Sequence, residues 1–372
     1  MAHKNFKLMI PGPIQPSQAV LDSMGEPVQP HYGPEFTQTY RETLELLRQV
    51  FNTRGDIFLM VGSGSVGNDA CIGSALSTGE KIIVGTNGFF GDRLVAIAES
   101  YGLVVVQVKA EWGFPLKAAD FETAFQQNPD AKAAVMVHLE TSTSIVNPIQ
   151  EIGSIVKRYG AIFIVDAISS LGGLPFQMDD WDIDLCVSAS QKCLGAPPGL
   201  CPLAVSKRGW ETIDRNPNKG HGWYSDLRIW RKFATEWGAW HPYPVTMATN
   251  NVMALQTSLN ELLKEGIPQR LDRYRGLALK LRSALRNLGM PPFTPDDLMA
   301  PVLTAAYGPP GIATDEIVEY LADTHAIKIS GGLGNLKNKI FRIGHMSPTV
   351  SDNDIEAVVN ALADFKQKKR IN

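Results

Sequence analysis

Between residues 57 and 206 the chain alternates short apolar runs with segments of helical length, and this alternation constrains its fold most strongly. The apolar runs are rich in Val and Ile and mostly continuous, which is typical of strands covered on both faces. They lie at residues 57–61, 81–85, 104–108, 133–137, 161–165, 185–189 and 202–206. Repeated strand–helix units of this kind predict an α/β fold with a mostly parallel sheet flanked by crossover helices.

The length of the chain and a change of pattern near residue 265 predict two domains. A chain of 372 residues exceeds what one small hydrophobic core usually holds. After residue 265, helical segments mix with short strands, which indicates a smaller α+β domain. We therefore expect an N-terminal arm at 1–14, a large domain at 15–264 and a small C-terminal domain at 265–372.

The segment from residue 223 to 240 is rich in tryptophan. Four tryptophans stand at positions 223, 230, 237 and 240, with spacings of seven, seven and three. Such spacings place side chains near one face of a helix. We therefore expect these tryptophans to form a packed core or a subunit contact rather than to stack on a substrate.

Charge and composition exclude several classes of partner. The formal net charge is −3, with Lys+Arg 35 against Asp+Glu 38, which gives no field to attract nucleic acid or an anionic membrane. Apolar runs stay well short of the roughly 18–20 residues of a membrane span, and the N-terminus lacks a signal-peptide pattern. The four cysteines form no CxxC pair and have no histidine at zinc-ligand spacing, so we expect no metal site. A cytoplasmic enzyme is the expectation.

Small and hydroxyl residues follow two of the predicted strands. Gly62, Ser63, Gly64 and Ser65 follow the first strand and open a helix. Backbone N–H groups at such a helix N-terminus can hold an anion, although Gly-Ser turns before helices are common without this role. The hydroxyls at 141–144 follow the strand at 133–137 and could cap the next helix.

An aspartate and a lysine end two neighbouring strands. Asp166 follows the strand at 161–165, and Lys192 follows the strand at 185–189. Because ligands bind beyond the carboxyl ends of parallel strands, both side chains are expected in one site. Pyridoxal 5′-phosphate (PLP) uses a lysine amine for a Schiff base, a carboxylate for its ring nitrogen and an anion site for its phosphate. The strand ends therefore indicate a PLP site.

At these residues the sequence resembles the class V aminotransferases of PLP fold-type I, specifically the alanine–glyoxylate and serine–pyruvate aminotransferase family. The resemblance runs along almost the whole chain, and the pair formed by DAISSLGG and SQK…PPG is its most specific part. It implies the fold-type I architecture of a large PLP-binding domain and a small C-terminal domain. The matching motifs are PGP at 11–13, GSGS at 62–65, NGFFGDR at 87–93, HLETSTS at 138–144, DAISSLGGLP at 166–175, SQKCLGAPPGL at 190–200 and FRIGH at 341–345.

The resemblance implies roles for the residues that would hold the cofactor. Lys192 would carry PLP as a Schiff base and move the proton during catalysis, and Asp166 would pair with the ring nitrogen. Phe90 would stack on the ring, and Ser142 would lie near the ring oxygen. Positions that hold the phosphate are matched by residues of the glycine–serine turn and the lysine loop, namely Ser63, Gly64, Ser65 and Gln191.

Three further residues concern the substrate and a second subunit. Arg342 matches an arginine that clamps the α-carboxylate of the substrate through two parallel hydrogen bonds. Tyr243 and Thr246 match residues that reach the phosphate of the neighbouring subunit. The resemblance therefore implies a homodimer with shared active sites.

The reaction implied is a transamination from alanine or serine to glyoxylate or pyruvate. A PLP-dependent lyase of the same fold stays open, because it shares the lysine, the aspartate and the arginine. A cysteine desulfurase is disfavoured, since it needs a cysteine on a C-terminal loop and every cysteine here lies at or before residue 201. A non-catalytic binding protein is also disfavoured. A chain that had lost its activity would be expected to lack some of the lysine, aspartate, arginine and phosphate-site residues, and here all are present.

A dinucleotide-binding dehydrogenase is the remaining alternative. Gly62, Gly64 and Gly67 fit the GxGxxG pattern after a strand. The acidic residue that would hold the ribose is missing, because the next strand ends in Gly85-Thr86-Asn87. The glycines are therefore better interpreted as a turn that binds a single phosphate group.

Overall fold

The computed structural model describes residues 5–217 and 222–370, which form a large α/β unit and a smaller α+β unit. Its strands are β1 (Lys7–Leu8), β2 (Asp56–Val61), β3 (Lys81–Thr86), β4 (Val104–Lys109), β5 (Ala133–Val137), β6 (Leu139–Glu140), β7 (Ile145–Val146), β8 (Ile162–Asp166), β9 (Leu185–Val187), β10 (Leu200–Val205), β11 (Leu303–Tyr307), β12 (Ile327–Lys328), β13 (Ser330–Gly331) and β14 (Ile340–Gly344).

The helices of the large unit are α1 (Gln18–Met24), α2 (Pro34–Phe51), α3 (Gly64–Ala75), α4 (Phe89–Ser100), α5 (Ala118–Gln127), α6 (Ile149–Arg158), α7 (Lys207–Arg215), α8 (Leu227–Glu236) and α9 (Thr249–Glu265). Those of the small unit are α10 (Ile267–Asn287), α11 (Thr314–His325) and α12 (Asp352–Lys368). Within the described ranges, none of these helices combines the length and the apolar character needed to cross a membrane.

A seven-stranded sheet forms the centre of the large unit, in the order β2-β10-β9-β8-β5-β3-β4. Strands β3, β4, β5, β8 and β9 pair in parallel, and β10 runs antiparallel to both of its neighbours. Every residue of β5 and β8 is buried, as expected for strands with helices on both faces. The predicted mostly parallel α/β sheet is therefore confirmed.

Six of the seven predicted strands have limits that differ from the prediction by one or two residues, and β8 and β10 differ at both ends. Asp166 is the last residue of β8 and pairs in register with Val187 and Val137, whereas it was expected just beyond the strand. The strand expected at 202–206 begins two residues earlier, because Leu200 and Cys201 pair with β2. Both differences lie within the usual uncertainty of strand boundaries, and neither moves Asp166 away from the edge of the sheet.

The small unit has an antiparallel sheet in the order β11-β14-β13, packed against α10 and α11, and α12 packs on these two helices. The N-terminal arm joins this unit, because β1 pairs in parallel with β12 and Met9 packs into the same core. The backbone N–H of Gly344 donates to the carbonyl of Met9, at 2.9 Å. The arm then continues to the lysine loop, where the N–H of Ile14 donates to the carbonyl of Gln191.

The tryptophans do not share one helical face. Helix α8 contains Trp230 alone, and the other three lie outside it. Trp230 is fully buried, whereas the relative exposures of Trp223, Trp237 and Trp240 are 54%, 43% and 48%. Trp230 therefore belongs to the packed core, and for the other three, which lie where the chain has left the helix, the expected subunit contact stays a prediction.

Candidate active site

A cavity of about 180 Å³ lies at the edge where the parallel strands of the large unit end. This edge collects the residues that follow β2, β3, β8 and β9, as expected for an open parallel sheet. The structure brings together seven of the eleven residues expected from the sequence, namely Ser63, Gly64, Ser65, Phe90, Asp166, Gln191 and Lys192.

Two hydrogen bonds orient the carboxylate of Asp166. Its Oδ2 accepts from Nδ2 of Asn68 at 2.8 Å, and its Oδ1 accepts from the backbone N–H of Ile168 at 3.0 Å. Burial raises the pKa of Asp166, while these bonds and the positive charges of Lys192 and Arg93 oppose that rise. The carboxylate is thus fixed in a cavity with cationic groups around it.

The Lys192 amine faces the N-terminal arm. Its Nζ donates to the carbonyl oxygen of Pro11. Gly12 has a φ of +96°, and a Cβ atom there would lie 2.7 Å from Nζ, so glycine is required beside the amine. Burial lowers the pKa of Lys192 to about 8; the charge of Arg342 acts in the same direction, and that of Asp166 opposes it. A lysine of this kind has a substantial neutral fraction near neutral pH, as a nucleophilic amine requires.

The N-terminus of α3 lines the cavity opposite the lysine. Ser63 is its N-cap residue, and its side chain makes no capping hydrogen bond. Gly64 packs so closely on Ile168 that a Cβ atom would lie 2.2 Å from Cδ1 of that side chain. The first N–H groups of the helix therefore have no side-chain cap, which is the arrangement of an anion site.

The residues present fit PLP. Oε1 of Gln191 and Oδ1 of Asn68 are buried without a hydrogen-bond partner in the described chain, and both residues line the cavity. Buried polar atoms normally find partners. A ligand with polar groups around an aromatic ring would supply them, beside an amine, a carboxylate and an uncapped helix N-terminus.

Phe90 belongs to the first turn of α4, which Glu140 caps. The backbone N–H groups of Phe90 and Gly91 donate to Oε2 of Glu140, at 3.1 and 3.0 Å. The guanidinium carbon of Arg93 lies 4.8 Å from the centroid of the Phe90 ring, within cation–π range. Glu140 therefore holds the backbone of Phe90, and the guanidinium of Arg93 contacts its ring.

Arg342 is anchored by two backbone carbonyls. Its Nε donates to Gly331 and its Nη1 donates to Thr141, each at 2.9 Å. Burial lowers the pKa of Arg342 to about 10, and the charge of Glu140 opposes this shift. Bonds to the described residues use two of the five guanidinium N–H groups, which leaves three for a carboxylate. Arg342 lies behind Thr141 and does not itself line the cavity.

Ser142, Tyr243 and Thr246 are not among the residues that line the cavity. The Ser142 hydroxyl accepts from the N–H of Phe89 and donates to Glu140, so in this structure it caps α4. Tyr243 is fully buried, and its hydroxyl donates to the carbonyl of His31. Thr246 is exposed. Their expected contacts with PLP, in one subunit or the next, stay predictions.

Sequence reasoning overlooked four residues around the cavity: Asn68, Arg93, Glu140 and Thr141. Arg93 and Glu140 stand inside the NGFFGDR and HLETSTS motifs without an assigned role, and Thr141 was interpreted only as one of the hydroxyls that could cap a helix. A signal existed for Glu140, because an acid three residues after a fully apolar strand needs partners if it is buried. Asn68 gave no such signal, since an asparagine within a helix is usually solvated.

The fold and the cavity define a class of enzyme with a strand-end lysine, an opposing carboxylate and a helix N-terminus for an anion. The chain matches the family model of class-V aminotransferases over residues 18–337, and it belongs to that family. The protein is therefore an enzyme of the aminotransferase type. This membership rules out the dinucleotide-binding alternative.

Similar proteins cover nearly the whole chain. An uncharacterised aminotransferase of Methanocaldococcus jannaschii is 38% identical over 91% of this chain and 87% of its own. A protein named the small subunit of a soluble hydrogenase, from a Synechococcus strain, is 35% identical over 95% and 91%. The solved structure of an alanine–glyoxylate aminotransferase from Nostoc sp. superposes with a TM-score of 0.94 at 29% identity, covering 98% of this chain and 96% of that one. Among the described residues, no three His, Cys, Asp or Glu side chains cluster as a metal site.

Proposed function

We propose that this protein binds PLP through Lys192 and transfers an amino group from alanine or serine to glyoxylate or pyruvate. The observation that carries the proposal is the single cavity shared by the Lys192 amine, the Asp166 carboxylate and the N-terminus of α3. These are the three groups that PLP uses, for its carbonyl carbon, its ring nitrogen and its phosphate.

Small substrates are proposed for two reasons. The cavity of about 180 Å³ has to hold the cofactor as well as the substrate. The similar Nostoc enzyme is named for alanine and glyoxylate. A substrate α-carboxylate would bind the free N–H groups of Arg342, whose direction is fixed by the carbonyls of Gly331 and Thr141.

PLP, when bound, supplies a protonated ring that withdraws electrons from the substrate. The chain supplies position and proton transfer. Asp166 holds the proton on the ring nitrogen, and Asn68 and Ile168 hold Asp166. Lys192 takes the proton from Cα of the donor and returns one to the product side, because its pKa of about 8 suits an acid–base group near neutral pH. Arg342 keeps the carboxylate still during both half-reactions.

We also propose that the enzyme works as a cytoplasmic homodimer. The family resemblance supports shared active sites. Three half-exposed tryptophans also support it, since Trp237 and Trp240 stack on each other at the surface with ring centroids 5.6 Å apart. Exposed aromatic groups of this size are typical of surfaces that another protein covers.

The experiment that tests the function is a visible absorbance spectrum of the purified protein with PLP, recorded before and after adding L-alanine and then glyoxylate. We expect a yellow band that fades with alanine and returns with glyoxylate, because a transaminase performs two half-reactions on one cofactor. A band that fades with alanine and does not return with glyoxylate would keep the first half-reaction and exclude glyoxylate as the acceptor, whereas release of product with the band unchanged and no acceptor added would favour a lyase. The absence of any band would contradict the cofactor.

Replacing Arg342 by lysine is expected to raise KM for alanine roughly tenfold to a hundredfold, with a smaller fall in kcat. Lysine keeps the charge but loses the fork that makes two parallel bonds, and a charge-assisted hydrogen bond contributes roughly 1.5–3 kcal/mol. Steady-state kinetics at saturating glyoxylate measure both constants. Arg275→Lys, at an exposed position on α10, is the control and should change neither. An unchanged KM would remove Arg342 from the substrate site.

A further inference from the structure

Glu140 is a fully buried carboxylate that the proposed chemistry does not use. It ends β6, two residues before Ser142, and its side chain reaches the first turn of α4. Four donors converge on it: the N–H groups of Phe90, Gly91 and Ser142, at 3.0–3.1 Å, and the Ser142 hydroxyl at 2.5 Å. All four are donors, and the ionised carboxylate, which only accepts, satisfies every one of them. Burial raises the pKa of Glu140, and these hydrogen bonds oppose that rise.

The cap determines where the aromatic ring lies. Glu140 contacts the backbone of Phe90 itself, and a negative charge at this end of α4 is favoured by the helix dipole. The preceding loop is built around the acid, because a Cβ atom on Gly88 would lie 2.3 Å from Cγ of Glu140. Glu140 thus sets the start of α4, and with it the position of the Phe90 ring.

The same residue acts on the substrate side. The charge of Glu140 stabilises the cationic form of Arg342, whose burial has the opposite effect. The residue next to Glu140 is Thr141, whose carbonyl accepts from Nη1 of Arg342. The segment Glu140-Thr141 therefore contacts both the backbone of Phe90 and the guanidinium of Arg342.

We infer that Glu140 is a positioning residue that aligns the Phe90 ring with the cofactor and the Arg342 guanidinium with the substrate carboxylate. The inference rests on the proposed PLP-dependent function. Glu140 does not line the cavity, so it would act through α4 and through Arg342.

The test compares Glu140→Gln with the wild-type chain. An amide has one acceptor oxygen, so it leaves part of the donor set facing its own NH₂ group, and it removes the charge near Arg342. We expect the dissociation constant for PLP, from an absorbance titration of the full chain, to rise on the order of tenfold or more. We expect KM for L-alanine to rise by a similar factor, with a smaller change in kcat.

A matched control separates positioning from stability. Glu265 also accepts two charged donors, Nε of Arg270 and Nε of Arg273, and it lies outside the cavity. Glu265→Gln should lower the melting temperature without changing the PLP constant or the KM. If Glu140→Gln also changes neither constant, or lowers kcat alone, the inference is wrong. A wild-type chain without a PLP band would instead contradict the proposed function.

Glu140→Asp tests the two contacts separately and serves if Glu140→Gln does not fold. Aspartate keeps the charge near Arg342 but is one methylene too short to reach the same N–H groups of α4. We therefore expect weaker PLP binding with KM for alanine close to the wild-type value. Wild-type affinity for PLP in this variant would contradict the capping role.

Discussion

Replacing Lys192 by alanine is expected to lower the rate of transamination by at least about 10³-fold while the chain stays folded. Lys192 supplies both the amine that would bind the cofactor and the acid–base group near the substrate. Alanine offers neither, and no other lysine lines the cavity among the described residues. Turnover of L-alanine and glyoxylate, measured with saturating PLP, gives the size of the loss.

Lys264→Ala is the control for this prediction, because that lysine is exposed on α9 and lies outside the cavity. It should keep wild-type activity. Circular dichroism and the melting temperature show whether Lys192→Ala is folded. Appreciable transamination by a folded Lys192→Ala variant would remove the lysine from the mechanism and would favour a non-covalent role for the cavity.

The sheet could be predicted because its signal is local. Each buried strand is a continuous apolar run, and β5 and β8 are found at or within one residue of their predicted limits. The antiparallel direction of β10 could not be predicted, because an apolar run has no direction of its own. Pairing of β10 with β2 and β9 depends on residues far apart in the sequence.

Site residues could be predicted where a charged side chain follows an apolar strand. Lys192 and Asp166 stand at strand ends, and a charged group there needs a reason. Asn68 and Glu140 were harder to assign, because their roles depend on partners that lie 98 and about 50 positions away in the chain. The role of Tyr243 rests on the family resemblance alone; its side chain is buried against Tyr40 in one subunit, and the contact with a neighbouring subunit stays a prediction.

The buried carboxylate of Asp166 lowers the stability of the folded chain when no cofactor is bound. Burial raises its pKa above the unfolded value, so the native state binds the proton more readily than the unfolded chain does. Stability without cofactor therefore falls as pH rises through the interval between the unfolded and the folded pKa values. Asn68 and Ile168 reduce that cost without removing it. Under the proposed function, a cationic ring nitrogen would offset this cost when the cofactor binds.

Asp166→Asn is therefore expected to slow transamination by about 10³-fold while leaving the cofactor-free chain as stable as the wild type or more stable. An amide removes the buried charge but cannot hold a proton on the ring nitrogen. Melting temperatures at neutral pH and near pH 4 should show a stability difference that shrinks toward acid. Asp184→Asn is the matched control: Asp184 is equally buried but pairs with Arg208 away from the cavity, so this change should lower stability and keep activity. Near wild-type activity in Asp166→Asn would show that the ring nitrogen needs no carboxylate here.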